Sequence, residues 1–230
     1  MDVAICDMYK LHIFLLTLLF CQATVAPTTV SFPTEDGGEI YADIYGKATK
    51  AVVLAHGGRF NKESWRKQAL ILVDAGFQVL ALNFRGYGKS HGPGDSGPMD
   101  APLHLDVLAA VRYLHKTGAK SVSIVGGSMG GSAAADASIA SQPGEIDRLV
   151  LLGASPNGAA EKIKSPILFI VARDDASQDG PRLPGIQKQY EQAPQPKELI
   201  ILDGSAHAQF LFQTKQGDRV MQEILRFLTK

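Results

Sequence analysis

The chain has 230 residues, 45% of them hydrophobic and 20% charged, enough to bury one substantial core and too apolar for a disordered or fibrous polypeptide. Lys plus Arg and Asp plus Glu are equal at 23 each, so no global field draws the protein to nucleic acid or to an anionic membrane. Specificity must come from a local site.

The first element in chain order is a targeting segment. The stretch LHIFLLTLLF at 11–20 is almost wholly apolar, and the small residues Ala23, Thr24, Val25 and Ala26 follow it. This is the pattern of a secretory signal, with cleavage expected near Ala23 or Ala26, leaving a single domain at 27–230 that is secreted or otherwise extracytoplasmic. The run 11–26 falls short of the roughly 20 residues that span a bilayer, and no basic stop-transfer cluster follows, so no stable membrane span is expected after signal removal. Asp2, Asp7 and Lys10 leave the leading segment without net positive charge, and initiation at Met8 gives a better-formed start. The alternative is a cytoplasmic protein with an apolar tail. Cleavage removes both Cys6 and Cys21, so the mature chain is expected to have neither disulfide nor thiolate chemistry.

Beyond the signal, strand-like and helix-like pieces alternate. TVSFP and EIYADIYG read as two strands around the turn residues Asp36, Gly37 and Gly38. AVVLAH at 51–56 is a short buried strand, and Asn61 is placed to cap a helix with Trp65, Ala69, Leu72 and Val73 on one face. QVLALNF follows as a strand. A helix is predicted from near Asp100, with Pro102 in its first turn and Val107, Leu108, Val111 and Leu114 as its apolar stripe. SVSIVG is the next strand, and an alanine-rich helix follows Ser128. RLVLLGAS, PILFIVAR and ELIILDG are three more strand candidates, and a last helix capped by Asp218 turns Met221, Ile224, Leu225 and Leu228 inward. Short, continuously apolar strands alternating with helices imply a parallel sheet covered on both faces, with ligands bound by loops at the carboxyl ends of the strands.

The seam between SVSIVG and the alanine-rich helix holds Gly126, Gly127, Ser128, Met129, Gly130 and Gly131. This is the G-x-S-x-G pattern, in which flanking glycines let two backbones approach while the serine is lifted above the sheet in a strained turn. In a chain with 23 glycines the pattern alone is weak. Glycine-rich phosphate loops are excluded by spacing. A dinucleotide fingerprint needs glycine at 128, which is Ser, and a P-loop ending in Gly88, Lys89 and Ser90 needs glycine at 83, which is Asn.

A serine nucleophile needs a base and a group to orient the base. PILFIVAR runs into Asp174 and Asp175, and ELIILDG is followed by Ser205, Ala206 and His207. The order Ser, Asp, His, each after a different predicted strand, is that of an α/β-hydrolase. With AHGG at 55–58, FRGYGKS at 84–90, GGSMGG at 126–131, ARDD at 172–175 and GSAH at 204–207, the chain resembles a compact, lidless member of that superfamily, esterase-like or dienelactone-hydrolase-like. The resemblance covers essentially everything after the signal. It departs from dienelactone hydrolases proper in having serine where they have cysteine, which puts a dienelactone substrate in doubt.

The resemblance implies an α/β-hydrolase fold: a mostly parallel central sheet, helices on both faces and no lid subdomain. It also implies that Ser128 is the nucleophile, that His207 is the base and then the acid, and that an Asp, Asp175 in preference to Asp174, orients the imidazole. Oxyanion donors are expected from the backbone N–H groups of Met129 and of Gly58 or Arg59. His56 is expected to brace that loop, and Arg59 is a candidate substrate contact. His91, His104 and His115 are expected to be turn, surface or packing residues. No metal-ligand spacing, cofactor motif or basic-aromatic interleaving around Trp65 is present. The expectation is a cofactor-free serine hydrolase acting on a small-molecule ester, thioester or similar acyl bond, with acyl transfer, peptide or amide cleavage, or a catalytically silent binding module as alternatives.

Overall fold

The computed structural model describes residues 26–97 and 101–230. The expected signal lies outside the described residues except for Ala26, as do Cys6, Cys21 and Asp100.

Eight of the ten strands among the described residues form one sheet. In chain order the elements are β1 (Thr28–Pro33), β2 (Glu39–Tyr45), β3 (Lys50–Ala55), α1 (Arg66–Asp74), β4 (Gln78–Leu82), α2 (Leu103–Lys116), β5 (Ser121–Gly127), α3 (Met129–Ala140), β6 (Leu149–Leu152), β7 (Ile167–Ala172), a small hairpin of β8 (Ala176–Ser177) and β9 (Gly180–Pro181), α4 (Leu183–Gln192), β10 (Lys197–Leu202) and α5 (Gly217–Leu228). The strand order is β1-β2-β4-β3-β5-β6-β7-β10. β2 runs antiparallel to both β1 and β4, and every other pairing is parallel. The segments that follow β3, β5, β6, β7 and β10 therefore emerge at one edge, where an open α/β sheet binds ligands.

The central strands are apolar on both faces because both are covered. Val53 lies in the core layer beneath α2, α3 and α4, with Ile124, Leu149 and Phe169. Its neighbours Val52 and Leu54 point the other way, into a layer with Trp65, Leu72, Val220, Ile224 and Phe227 from the α1 and α5 side. Alternation at period two assigns each residue to its layer. Each such Leu, Ile or Phe contributes about 1.5–3 kcal/mol by leaving water. Ala55, at the end of β3, is in register with Leu82 on one side and Gly126 on the other, so the strands carrying the AHGG and GGSMGG motifs end side by side.

The helix boundaries refine the expectations from sequence. Asn61 does cap, its side chain accepting from Ser64 N–H at 3.1 Å, but it caps a short 3-10 turn (Lys62–Trp65) that precedes α1. α2 begins at Leu103 with Pro102 at the N-cap, one position outside the first turn. Asp218 does not cap α5. The N-cap is Gln216, and Asp218 sits inside the first turn, where its charge meets the positive end of the helix dipole without a capping bond. The hairpin β8–β9 and the helix α4 have no counterpart among the predicted elements. The segment 153–166 between β6 and β7 holds only one short 3-10 turn (Ala160–Lys162), leaving no room there for a lid subdomain. Among the described residues no helix is long and apolar enough to cross a membrane.

Candidate active site

Ser128 stands alone between the last residue of β5 and the first of α3, at φ 50° and ψ −122°. A non-glycine residue in this region stores about 1–3 kcal/mol of strain, so the surroundings must hold it there. They do so from both sides. Ser128 N–H donates to Leu152 O at 3.0 Å, and Ser128 O accepts the first turn of α3 from Ser132 N–H at 3.0 Å. Gly130 packs so closely on the carbonyl oxygens of Ala55 and His56 that a β-carbon would overlap both, and this closeness lets α3 leave directly from the strand ends.

His207 follows β10 and reaches back across the sheet edge. Its Nε2 lies 2.8 Å from Ser128 Oγ, and its Nδ1 lies 2.7 Å from Asp175 Oδ2, in the loop after β7. A carboxylate can only accept, so the proton sits on Nδ1 and Nε2 is left to accept from the serine hydroxyl. Asp175 is 1% exposed, whereas Asp174 is exposed and engages Gly204 O only through its backbone N–H. Gly153, at the end of β6, passes beneath the pair with φ 56°; a β-carbon there would come within 3.1 Å of Asp175 Oδ2 and His207 Nδ1. Ala208, directly after His207, is the second non-glycine residue at φ 50°, so strain brackets both ends of the Ser–His contact.

The second oxygen of Asp175 faces Arg182. Asp175 Oδ1 and Arg182 Nε are buried and 3.4 Å apart, an electrostatic contact in which neither atom makes a hydrogen bond among the described residues. The hairpin β8–β9 folds the arginine back, and Arg182 N–H donates to Asp175 O at 2.9 Å.

Two residues with backbone donors, Met129 and Gly58, line one cleft with Ser128. Met129 N–H opens α3, where the first N–H groups of a helix have no partner within it. In the loop after β3, Gly57 N–H is already taken by Gln209 Oε1 at 2.8 Å, which leaves Gly58 as the next backbone donor. Gly58 is held through its other end, Gly58 O accepting from Tyr87 Oη at 3.0 Å. His56 braces the loop from below. It is fully buried, its Nδ1 lies 2.9 Å from Gly57 O, and Phe84 N–H donates to its Nε2 at 3.3 Å. Burial pushes the imidazole down to about 4, which the bond to Gly57 O only partly opposes. It is neutral at physiological pH, consistent with a backbone N–H occupying its Nε2.

Two clefts meet at Ser128 and Met129. One, of about 510 Å³, is lined among others by His104, Ser132, Asp136, Ser155 and Arg182. The other, of about 490 Å³, is lined by Gly58, Arg59, Phe60, Arg182, His207 and Phe210 among others. Arg59 is exposed at this second cleft. His104, expected at the surface or in packing, is partly exposed and borders the first cleft, where α2 runs beside α3. His115 is partly buried between the carbonyls of Ala119 and Glu145, away from both clefts, and His91 is exposed, bridging to Glu39. Arg182 and Gln209 are absent from the sequence-derived candidates. No local pattern marks either, since each acts through a contact made by the fold.

Residues 50–214, well over half of the chain, match the family described as alpha/beta hydrolase fold. The chain belongs to that family. This alpha/beta hydrolase is 33% identical over 121 residues to a non-heme haloperoxidase of Rhodococcus erythropolis, 53% of this chain and 42% of the relative. It is 29% identical over 187 residues to a 2-hydroxy-6-oxononadienedioate/2-hydroxy-6-oxononatrienedioate hydrolase of Burkholderia vietnamiensis, 79% of this chain and 60% of the relative. The matched part thus spans less than two thirds of the length of these relatives. In fold, the alpha/beta hydrolase is similar to an esterase of Pyrococcus furiosus, with TM-score 0.70 and 21% identity over 89% of this chain and 94% of that one. It is equally similar to a dienelactone hydrolase of Anabaena variabilis, with TM-score 0.70 and 21% identity over 90% and 98%.

Proposed function

We propose that this alpha/beta hydrolase is a serine hydrolase that cleaves an ester, thioester or similarly activated acyl bond of a small molecule through an acyl-enzyme. The observation that carries the reading is the unbroken relay from Ser128 Oγ to His207 Nε2 at 2.8 Å and from His207 Nδ1 to Asp175 Oδ2 at 2.7 Å. Ser128 Oγ bonds to the carbonyl carbon while its proton passes to His207 Nε2 and the carbonyl electron pair moves onto oxygen. That oxyanion is received by the N–H groups of Met129 and Gly58, each such donor being worth about 3 kcal/mol in the transition state. Collapse re-forms the carbonyl and breaks the bond to the leaving group, which takes the proton from Nε2. Water then repeats the sequence on the acyl-Ser128 and releases the acid. Asp175 keeps the imidazole in the tautomer the first step needs and stabilises the imidazolium that forms.

Intact-mass analysis after exposure to a fluorophosphonate tests the reading. The expected result is one adduct on the wild-type protein and none on Ser128→Ala. A folded wild-type protein that takes no adduct overturns it.

A further inference from the structure

The two clefts differ in chemistry and in which catalytic groups they contain. Gly58 and His207 both line the cleft of about 490 Å³ and do not line the other; Ser128, Met129 and Arg182 line both. In the tetrahedral intermediate the reacting carbon carries four groups: Ser128 Oγ, the oxyanion, the leaving atom and the remainder of the acyl group. The oxyanion must face Met129 and Gly58. The leaving atom must be within reach of His207 Nε2, which protonates it. Both directions open into the cleft with Gly58 and His207, so the fourth substituent is directed into the cleft of about 510 Å³.

The linings then specify what each half of the substrate is. On the acyl side, Ser132 lies one turn beyond Ser128 on α3 and so on the same face. The side-chain hydroxyls of Ser132 and Ser155 make no hydrogen bond among the described residues, and His104 lines the same cleft. Asp136 is already satisfied, accepting from Asn157 N–H, Asn157 Nδ2 and Gly158 N–H at 2.8–3.0 Å. Leu103, Ala133, Ala154 and Ile186 line the same cleft and can take a short alkyl stem, but a plain alkyl chain would strip water from these hydroxyls without replacing it, whereas a chain that also carries a hydroxyl restores the lost bonds. On the other side the wall is aromatic, with the Phe60 and Phe210 rings 5.0 Å apart and tilted 56°. Such a wall offers a flat face to an aryl group. The two arginines bordering this cleft do not dictate an anion, since Arg182 faces Asp175 and Arg59 is solvated.

We infer that the acyl group occupies the Ser132 cleft and the leaving group the Phe60–Phe210 cleft, so that the substrate is an ester of a short hydroxylated acid with an aryl or similarly flat apolar alcohol. The inference rests on the serine-hydrolase reading above and adds to it a direction and a substrate class.

The test uses phenyl and methyl esters of butyrate and of 3-hydroxybutyrate, with acylation and deacylation resolved by rapid-quench kinetics. The wild type should favour phenyl 3-hydroxybutyrate over phenyl butyrate by about tenfold or more in kcat/KM, and Ser132→Ala should erase most of that preference and alter deacylation. Phe210→Ala should lower the phenyl-over-methyl preference in acylation by about tenfold, while the 3-hydroxybutyryl-enzyme formed from either ester is hydrolysed at the wild-type rate. Phe210→Leu, which keeps apolar bulk but not the flat face, gives the same direction if the alanine variant folds poorly. Equal rates for the two acyl groups, or a Phe210 variant that changes acyl rather than leaving-group preference, overturn the inference. Fluorophosphonate labelling of each protein separates the two levels. Labelled Ser128 with the reversed pattern sinks only the cleft assignment, and an unlabelled wild type sinks the serine-hydrolase reading.

Discussion

Asp106 and Asp175 are both buried carboxylates facing an arginine, and their hydrogen bonding ends differently. Asp106 takes Arg85 N–H on Oδ2 at 2.9 Å and Arg85 Nε and Nη2 on Oδ1 at 2.9 and 2.6 Å. Arg85 spends its remaining protons on Asp36 and on Pro93 O. Asp36 in turn is held down to about 2, chiefly by its hydrogen bonds from Arg85. Every strong donor and acceptor in that cluster is used, and the result is a rivet joining the turn after β1, the loop after β4 and the first turns of α2. At Asp175 only Oδ2 has a hydrogen bond, and that bond goes to a ring whose other nitrogen faces a hydroxyl. A saturated buried charge fixes position; one left incomplete keeps its influence for whichever neighbour changes protonation.

The largest expected effect tests the incomplete site. Asp175→Asn should lower kcat by about 10⁴, because the imidazole is then free to adopt the wrong tautomer, while the urea midpoint stays near that of the wild type. Retention of a tenth of the activity would erase the distinction drawn between the two carboxylates. Asp106→Asn is the converse. It weakens the pairing of a fully buried guanidinium and should cost about 3–5 kcal/mol in a urea melt, with turnover per folded molecule retained.

A smaller effect concerns His56, whose buried ring is a satisfied neutral group by the same logic. Its folded pKa of about 4 lies below the unfolded value of 6.5, so the unfolded chain binds the proton first as pH falls. Stability is therefore fully present above pH 6.5 and declines by about 3 kcal/mol as pH falls to 4. Urea melts at stepped pH should show that slope and should show it reduced in His56→Gln. An unchanged slope would place the acid sensitivity elsewhere. The smallest effect reads the strain at Ser128. Ser128→Gly should raise stability by about 1 kcal/mol while abolishing labelling, since glycine adopts φ 50° freely. A fall in melting temperature would show that the turn is not strained.

Much of the fold is legible in the order of apolar runs, because a strand buried on both faces has nowhere to place polar residues and each crossover helix carries its own stripe. Ser128 and His207 are legible because each is set in a short motif after such a run. The choice between Asp174 and Asp175 turns on a single residue, and in the fold only the second turns inward. What the sequence conceals depends on distant contacts. Arg182 reaches Asp175 only because β8–β9 doubles the chain back, and His104 borders a cleft only because α2 and α3 run side by side. Asp218 looks like a cap by residue type, but the helix starts two residues earlier than such a cap would set it.

Gln209 joins two loops that lie far apart in sequence. Its Oε1 holds Gly57 N–H at 2.8 Å, its Nε2 donates to Ser64 Oγ at 3.0 Å, and it sits two residues past His207. The loop carrying His207 and the loop carrying Gly57 and Gly58 are therefore expected to open together. Their backbone amides should exchange with deuterium together, and a Gln209→Ala variant should let the 57–60 segment exchange ahead of the sheet beneath it.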